Sequence, residues 1–152
     1  MQRFIKTSVS LVMLLALSVQ AQQPDADFSY GQLVFPEQGI SINIEVAKTR
    51  PQRSTGLMFR KSLAADKGML FIFEEEVIQR VWMKNTLIPL DIMFISSDGK
   101  LVSLLSNVQP CRQASCAIYN SHQPAKYMLE VNAGFIERTG ITVTQKIRFS
   151  LF

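Results

Sequence analysis

The segment VWMKNTLIPLD, residues 81–91, places a cation, an amide, a hydroxyl and a carboxylate among large apolar side chains. It contains the only Trp of the chain, Trp82, and its charged residues are Lys84 and Asp91. Polar groups within an apolar run cost free energy unless they pair with one another or with a ligand. This segment therefore indicates either a structural arrangement of polar groups or a binding site.

Strand signals extend outward from this segment in both directions. Strict alternation of apolar and polar residues, or a short continuous apolar run, predicts seven or eight short strands. They cover residues 28–35, 40–46, 68–73, 81–85, 90–95, 101–105, 125–131 and 141–151. The turn residues SDGK at 97–100 predict a hairpin, and the acidic residues 74–76 are expected to end one strand in solvent.

Two short helices are predicted between these strands. The first begins at a Thr49 cap, with a Pro in the first turn and Gln52 at the capping-box position, and is expected to run to about residue 60. The second covers residues 133–138, with Asn132 as its cap and Gly140 at its end. These elements predict an α+β fold that is mainly antiparallel β, as a small curled sheet or barrel with two short helices.

Residues 1–21 have the pattern of a secretory signal peptide, with a basic start, an apolar segment and small residues at 19–21. The apolar run, about a dozen residues, is well short of the roughly 20 that span a bilayer, so cleavage and no permanent membrane span are expected. The predicted location is periplasmic or secreted. Residues 22–39 are then a tether and first hairpin strand, and residues 40–152 a single β-rich domain, expected to be monomeric.

Charge and cysteine usage narrow the possible functions. The net charge of +4 falls to +2 once Arg3 and Lys6 are removed with the signal, which is too little to indicate nucleic acid binding. Cys111 and Cys116 are expected to form a disulfide after export, because exported proteins meet an oxidising environment. A redox pair is less favoured because the spacing is not Cys-x-x-Cys, and a metal site would need further ligands.

Four segments of the chain resemble domain-of-unknown-function family 192. They are GLMFR at 56–60, GMLFIF at 68–73, WMKNTLIPLD at 82–91 and YMLEVNAG at 127–134. The resemblance extends over about residues 40–148 and supports the fold and the exported location, and the cysteine loop followed by Tyr119 resembles exported members. Gln52 departs from the acid that is frequent there, as do residues 144–145 (TQ) from the family's Gly-Asp. The family has no assigned activity, so the resemblance implies no reaction.

Lys84, Asn85 and Asp91 form the most prominent polar group. A carboxylate beside an ammonium group would tune a proton-transfer residue or hold a polar ligand. The alternative, which we prefer from the residues alone, is an ion pair that fixes the bend at Pro89.

Three further side chains are candidates for the same site. Arg53 and Arg60, on the first predicted helix, would add cations and create a site for an anion or a sugar acid, although exposed helix arginines are common. Trp82 would provide a stacking platform for a sugar or aromatic ring, although a lone Trp in a strand is more often part of the core.

Catalysis by a nucleophile is poorly supported, because His122 is the only His in the chain. A two-carboxylate glycosidase needs paired acids in a cleft. Asp91 and Glu130 are the only acids embedded in apolar strands and are the pair that we nominate, although strand alternation is able to separate them. Glu130 lies on the face opposite Tyr127 and Leu129, which is compatible with solvent exposure.

We therefore expect an exported binding or accessory module for an envelope component such as a glycan, a small anion or a protein partner. The candidate ligand-binding residues are Arg53, Arg60, Trp82, Lys84, Asn85 and Asp91. A small acid/base hydrolase using Asp91 with Lys84 is the first alternative. The second is a copper module using Met58, Met69 and Met83, since thioethers bind monovalent copper, although core packing explains methionines equally well. A non-enzymatic role without a cofactor is preferred.

Overall fold

The computed structural model of the protein describes residues 27–152, so the predicted signal peptide lies outside the described residues. One sheet contains all seven strands, in the spatial order β5-β4-β6-β3-β2-β1-β7. The strands are β1 (Ser29–Phe35), β2 (Ile40–Ala47), β3 (Lys67–Trp82), β4 (Leu90–Ile95), β5 (Leu101–Val108), β6 (Ile118–Asn132) and β7 (Arg148–Leu151).

The sheet is mixed but mostly antiparallel. Only the β2–β3 pair is parallel, because α1 (Arg50–Thr55) and the segment after it carry the chain back between these two strands. Within residues 27–152 the sheet is not closed, and β5 and β7 are its edge strands. The predicted α+β fold with a mainly antiparallel curled sheet and two short helices is confirmed, whereas a closed barrel does not form.

Alternation along the central strands divides the core into two clusters, one on each face of the sheet. On β6, for example, Leu129 and Val131 belong to one cluster and Met128 to the other. On β4, Met93 joins the first cluster and Ile92 the second. The central strands are therefore buried on both faces, and a side chain that points away from one cluster still lies in the protein interior.

The first helix begins as predicted and ends earlier. Thr49 and Gln52 form the reciprocal hydrogen bonds of a capping box, with Thr49 Oγ1 accepting from the Gln52 N–H at 3.3 Å. The helix ends at Thr55 rather than near residue 60, because Gly56 adopts a φ of 46° as its C-cap.

The second helix, α2 (Phe135–Thr139), is preceded by Gly134 rather than by an Asn cap. The predicted cap residue, Asn132, instead donates from Nδ2 to the carbonyl oxygens of Leu63 and Ala64 at 2.9 and 3.2 Å. The prediction of an Asn cap was therefore wrong, because a tertiary contact uses its amide.

Two predicted strand boundaries were also wrong. The acidic residues 74–76 do not end a strand, since β3 continues for 16 residues and includes the predicted strand near residue 81. Pairing with β6, which is of similar length, satisfies the backbone of β3. A register shift between Ile72 and Val77 lets the acidic side chains face solvent. The last strand was predicted too long, because residues 141–147 form a loop that bonds to Leu101 instead.

Cys111 and Cys116 form the predicted disulfide, with their Cα atoms 5.8 Å apart. The loop that they close is attached to the start of the 81–91 segment, because the Cys111 N–H donates to the Met83 carbonyl oxygen at 3.1 Å. Of the helices in residues 27–152, neither has the length and apolar character needed to cross a bilayer.

Candidate functional site

A cleft of about 170 Å³ opens between α1, the segment that follows it, β3 and β6. Its inner wall is the second core cluster, where Phe71 of β3 is paired with Met128 of β6. Its other walls come from the end of α1, from Met58 and from Thr86 of the 81–91 segment. The cleft is therefore lined by residues from segments 53–58, 71–73, 80–86 and 128–130, which include parts of all four family-like segments.

Glu130 lies at the floor of this cleft with only 5% of its surface exposed. Among residues 27–152 its carboxyl group has neither a salt bridge nor a hydrogen bond to a protein group, and because no fully buried polar side-chain atom is left unpaired in this part of the chain, its oxygens are open to the cleft. Its neighbours on the same face are apolar, since it pairs with Met69 on one side and Ile92 on the other. Burial in these surroundings raises the pKa of Glu130 to about 8, because it penalises the charged form.

Trp82 and Arg80 stand at the mouth of the cleft. They are two residues apart on β3, so both side chains project from the same side of the strand. The Trp82 ring is 48% exposed, and the Lys84 ammonium group lies 5.3 Å from its centre. Arg80 is exposed and, within the described part of the chain, has no salt-bridge partner. The mouth therefore presents an aromatic face beside cationic groups.

Arg53 enters the cleft wall from α1 and is held by three contacts. Its Nη1 donates to the carbonyl oxygens of Lys48 at 2.6 Å and Ile72 at 3.1 Å, and its Nη2 is 3.1 Å from the Glu74 carboxylate. Glu74 is 83% exposed, so it is able to leave this pair at little cost. The guanidinium group consequently fixes α1 to β3, and its side chain, 16% exposed, forms part of the cleft wall.

Gly56 packs tightly against Phe71 in the cleft wall next to Arg53. A methyl group added to Gly56 would lie 3.0 Å from the Phe71 ring, and the residue's φ of 46° disfavours other side chains.

Two residues with left-handed backbone conformations meet at the rim of the cleft. Phe59 has a φ of 62° and Asn85 a φ of 58°, and the Phe59 N–H donates to the Asn85 carbonyl oxygen at 2.8 Å. The Asn85 side chain points to Met58, with Nδ2 3.8 Å from the sulfur. Such conformations cost free energy in residues other than glycine and are held here by a tertiary contact.

The Lys84 and Asp91 side chains do not meet. Asp91 is completely buried, and its oxygens accept from the backbone N–H groups of Asn107 at 2.7 Å and Ile136 at 2.8 Å. The second contact supplies α2 with the N-terminal acceptor that Gly134 lacks. The ion pair that we expected is absent, because each partner has a different neighbour.

Asp91 and Glu130 also point away from each other. Asp91 pairs with Val131 and Glu130 with Ile92 on the adjacent strand, so the two acids occupy opposite faces of the sheet. The nominated two-carboxylate pair therefore does not share a cleft. The exposure expected for Glu130 was wrong because its face is covered by the second core cluster.

The remaining candidates lie apart from the cleft or in the core. Arg60 forms a bidentate pair with Glu45, with both N–O distances 2.6 Å, which raises the pKa of Arg60. Met69 and Met83 are buried in the second core cluster, so packing accounts for them, and Met58 alone of the three methionines lines the cleft. Within residues 27–152 no three His, Cys, Asp or Glu side chains gather in a metal-binding arrangement.

Sequence reasoning placed Trp82 and Arg53 near one another but missed the role of Glu130 and Arg80. A signal for Glu130 is present in the YMLEVN segment, where apolar residues occupy both alternation phases and indicate burial on both faces. Nothing in the sequence indicates that α1 stops short of Glu130 and leaves a cleft above it.

Two solved structures resemble the chain over most of its length. One, from Sinorhizobium meliloti 1021 and provisionally named a transcription regulator, is 37% identical with a TM-score of 0.70, and covers 80% of this chain and 93% of its own. The other, a protein of unknown function from Novosphingobium aromaticivorans DSM 12444, is 28% identical with a TM-score of 0.72, and covers 83% and 89% respectively. No curated protein matches the chain.

A family model described as "Uncharacterized ACR" matches residues 33–149, which is most of the chain and contains every residue of the cleft. The match agrees with the resemblance carried by the four sequence segments. The chain therefore belongs to the DUF192 family, for which no activity is assigned.

Proposed function

We propose that the protein is an exported binding module whose cleft takes a small polar group of an envelope component such as a glycan. The observation that carries this proposal is Glu130, a buried carboxyl group without a protein partner at the floor of an open cleft. Because its oxygens open into the cleft and have no protein partner, they are available to hydrogen-bond a ligand. The apolar walls around it would contribute area to the same ligand.

The size of the cleft limits what enters it. Pockets for complete drug-sized ligands measure about 300–1,000 Å³, whereas this cleft measures about 170 Å³. It therefore holds one ring or one end group, and the rest of a larger ligand would lie across the mouth. Trp82 and Arg80 are placed to contact that part, by stacking and by charge.

Sequence-specific DNA recognition is a weaker candidate, although the Sinorhizobium meliloti protein carries the name of a regulator. DNA-reading motifs place a helix or a two-stranded ribbon in the major groove, beside basic groups that contact phosphates. The helices described here have six and five residues, and the first is packed against the sheet. A binding role for small envelope ligands uses the cleft, whereas DNA binding leaves it unexplained.

The sole Trp makes a direct test possible, because Trp82 lies at the mouth of the cleft. We expect envelope glycan fragments or small anions to change the fluorescence of the purified mature domain in a saturable way. The variant Glu130→Leu keeps the Trp and removes the carboxyl group, so it should abolish the change while circular dichroism stays the same. A saturable response that is equal in this variant would contradict the proposal.

An acid/base enzyme is the second candidate, with Glu130 in place of the Asp91 and Lys84 pair. The pKa of about 8 is the observation that favours it, because a carboxyl group that is protonated at neutral pH is able to act as a general acid. The cleft contains one carboxyl group, so a second group would have to come from the substrate or from water. Turnover of glycosides that release a chromophore, lost in Glu130→Gln, would support this alternative, and binding without turnover would exclude it for those substrates.

We also propose that the mature domain is monomeric and acts in the periplasm, supported by the Cys111–Cys116 disulfide and by the signal pattern of residues 1–21. Fractionation of cells should recover the shortened chain with the disulfide oxidised. Recovery of the full-length, reduced chain from the cytoplasm would contradict this location. Sedimentation should give the mass of one mature chain.

A further inference from the structure

We infer that the ligand is an N-acylated acidic sugar, bound with its acyl group on Glu130 and its carboxylate on Arg80, an inference that rests on the binding role proposed above. The cleft presents three different surfaces. They are a floor with one carboxyl group among apolar side chains, a cationic mouth and an exposed indole ring. A ligand that matches all three surfaces has a group with both a polar atom and an apolar end, an anion, and a flat ring face.

The floor fits an acyl group. Phe71, Phe73 and Met128 line the same cleft as Glu130 and would pack against the methyl group of an acetyl substituent. The Glu130 carboxyl group, protonated at neutral pH, would donate its hydrogen to the acyl carbonyl oxygen. A bare carboxylate or phosphate in this position would face a carboxyl group with apolar neighbours, so the anionic part of the ligand belongs elsewhere.

The mouth fits the carboxylate. Arg80 is exposed and, among residues 27–152, its guanidinium group has no ion pair, so all its donors are available. Arg53 lies in the wall of the same cleft, and its only carboxylate partner is the highly exposed Glu74. A planar guanidinium group binds a carboxylate through two parallel hydrogen bonds, which selects an acid over a neutral sugar.

Trp82 is placed to contact the ring that joins these two groups. Beyond it, a second shallow depression is formed by residues 80–82 and Ile118, the residue that pairs with Trp82 on β6. Ile118 is 63% exposed, and the depression shares Arg80 and Trp82 with the cleft. The two surfaces are therefore continuous, and the next sugar of a chain would lie over Ile118 while its end group fills the cleft.

The charges around Glu130 determine how binding depends on pH. The other charged side chains that line the cleft, among the described residues, are Arg53 from α1 and Arg80 from β3. The β4 residues on this face are Leu90, Ile92 and Phe94, which carry no charge. Among the described residues that line the cleft, Glu130 supplies the carboxyl group, and its ionisation would lower the affinity by removing a donor and repelling the ligand's carboxylate.

Four sugars separate the contributions of the acyl group and the acid. They are N-acetylmuramic acid with both groups, N-acetylglucosamine with the acyl group, glucuronic acid with the carboxylate, and glucose with neither. We expect Trp82 fluorescence titrations to give N-acetylmuramic acid a Kd about tenfold or more below that of either single-group sugar, since each contact is charge-assisted or buried. Equal Kd values for the four sugars would overturn the inference.

Matched variants assign each group. Arg80→Ala should reduce the affinity for N-acetylmuramic acid to that for N-acetylglucosamine, whereas Arg148→Ala, an exposed arginine on β7 outside the cleft, should leave both unchanged. The wild-type affinity should fall as the pH rises past about 8, where Glu130 ionises. Glu130→Gln should bind at pH 7 and lose this dependence, because its amide is a donor at every pH.

Different experimental results would contradict the ligand class inferred here and the binding role proposed above. An affinity that rises above pH 8, or an acidic sugar that binds no better after its acyl group is added, would overturn the ligand class. If another envelope fragment still bound in a Glu130-dependent way, the binding role would stand. If Glu130→Leu responded to every ligand as the wild type does, both would fall.

Discussion

Asp91 and Glu130 are two acids buried on neighbouring central strands, and their surroundings differ completely. Asp91 is 0% exposed and accepts two backbone hydrogen bonds, one of which caps α2. Glu130 is 5% exposed and faces a cleft with no protein partner in the described chain. The register of β4 and β6 places them on opposite faces of the sheet.

The hydrogen-bond partners of the two acids distinguish a structural acid from a candidate functional one. Both acids are embedded in apolar sequence, so their local patterns are alike. The backbone donors that reach Asp91 come from residues 107 and 136, far along the chain, and none reaches Glu130. A carboxylate paired with buried backbone donors stabilises the fold, whereas a mostly buried carboxyl group that opens into a cleft without a protein partner is available to a ligand.

Removing the Asp91 carboxylate should have the largest effect on stability. Asp91→Ala leaves the buried Ile136 N–H and the partly buried Asn107 N–H without acceptors. Each is worth ~1–3 kcal/mol, so we expect a loss of about 3 kcal/mol in the free energy of unfolding. Asp91→Asn retains one acceptor oxygen and should lose about half as much. Urea denaturation followed by circular dichroism measures both. A folded Asp91→Ala domain of unchanged stability would show that Asp91 is not a structural acid.

Replacing Glu130 should change stability in the opposite direction. The pKa of Glu130 is raised from 4.5 to about 8, so ionisation disfavours the folded state, and stability falls as the pH rises from 4.5 to 8. Glu130→Gln lacks this loss and should be more stable than the wild type by about 3 kcal/mol at pH 7. The two should converge near pH 4. Lower stability of Glu130→Gln at pH 7 would mean that a charged, paired Glu130 stabilises the fold.

Removing the disulfide should lower the free energy of unfolding by a smaller amount. The effect should be confined to the face of the sheet that carries Glu130. Replacement of both Cys111 and Cys116 by Ser removes a short loop constraint worth about 2 kcal/mol in the chain-entropy model. Because Cys111 is hydrogen-bonded to Met83, ligand affinity at the mouth should weaken as well. Hydrogen exchange at the Asn107 and Ile136 amides, relative to global unfolding, should stay the same. Faster exchange there would show that the two acids are coupled.

Trp82→Phe should have the smallest effect on stability, and its main effect should be on ligand affinity. The ring is half exposed, so the free energy of unfolding should change by about 0.5 kcal/mol or less. Ligand affinity, measured by calorimetry because the only Trp is gone, should fall by about tenfold. A large loss of stability with unchanged affinity would identify Trp82 as a core residue instead.

Much of the fold follows from local sequence patterns. The alternation at residues 40–46, the capping box at Thr49 and the turn at 97–100 each specify an element without reference to distant residues. Boundaries were less predictable, because β3 and β6 extend each other by pairing through residues 74–76, whose composition alone indicates a loop. Strand length is thus decided by the partner that satisfies the backbone.

The candidate site was only partly predictable for the same reason. The 81–91 segment contributes Trp82 and Thr86 to the cleft, but sends Asp91 into the opposite face and Lys84 over the Trp82 ring. Arg53 was recognised as a possible cation, whereas Arg80 was not considered. A residue's chemistry is local, but its neighbours are set by register and by which face each strand presents.

The α+β class, the order of most elements and the cysteine pair follow from periodicity, capping and short-range spacing, whereas the family follows from the resemblance of four sequence segments. Tertiary structure alone decided that Asp91 is satisfied by distant backbone groups and that Glu130 is not. It also decided that the end of α1, β3 and β6 enclose a cleft lined by Glu130, since these segments are distant in sequence. Burial and hydrogen-bond partners belong to the packed molecule, and they separate the structural acid from the candidate ligand-binding one.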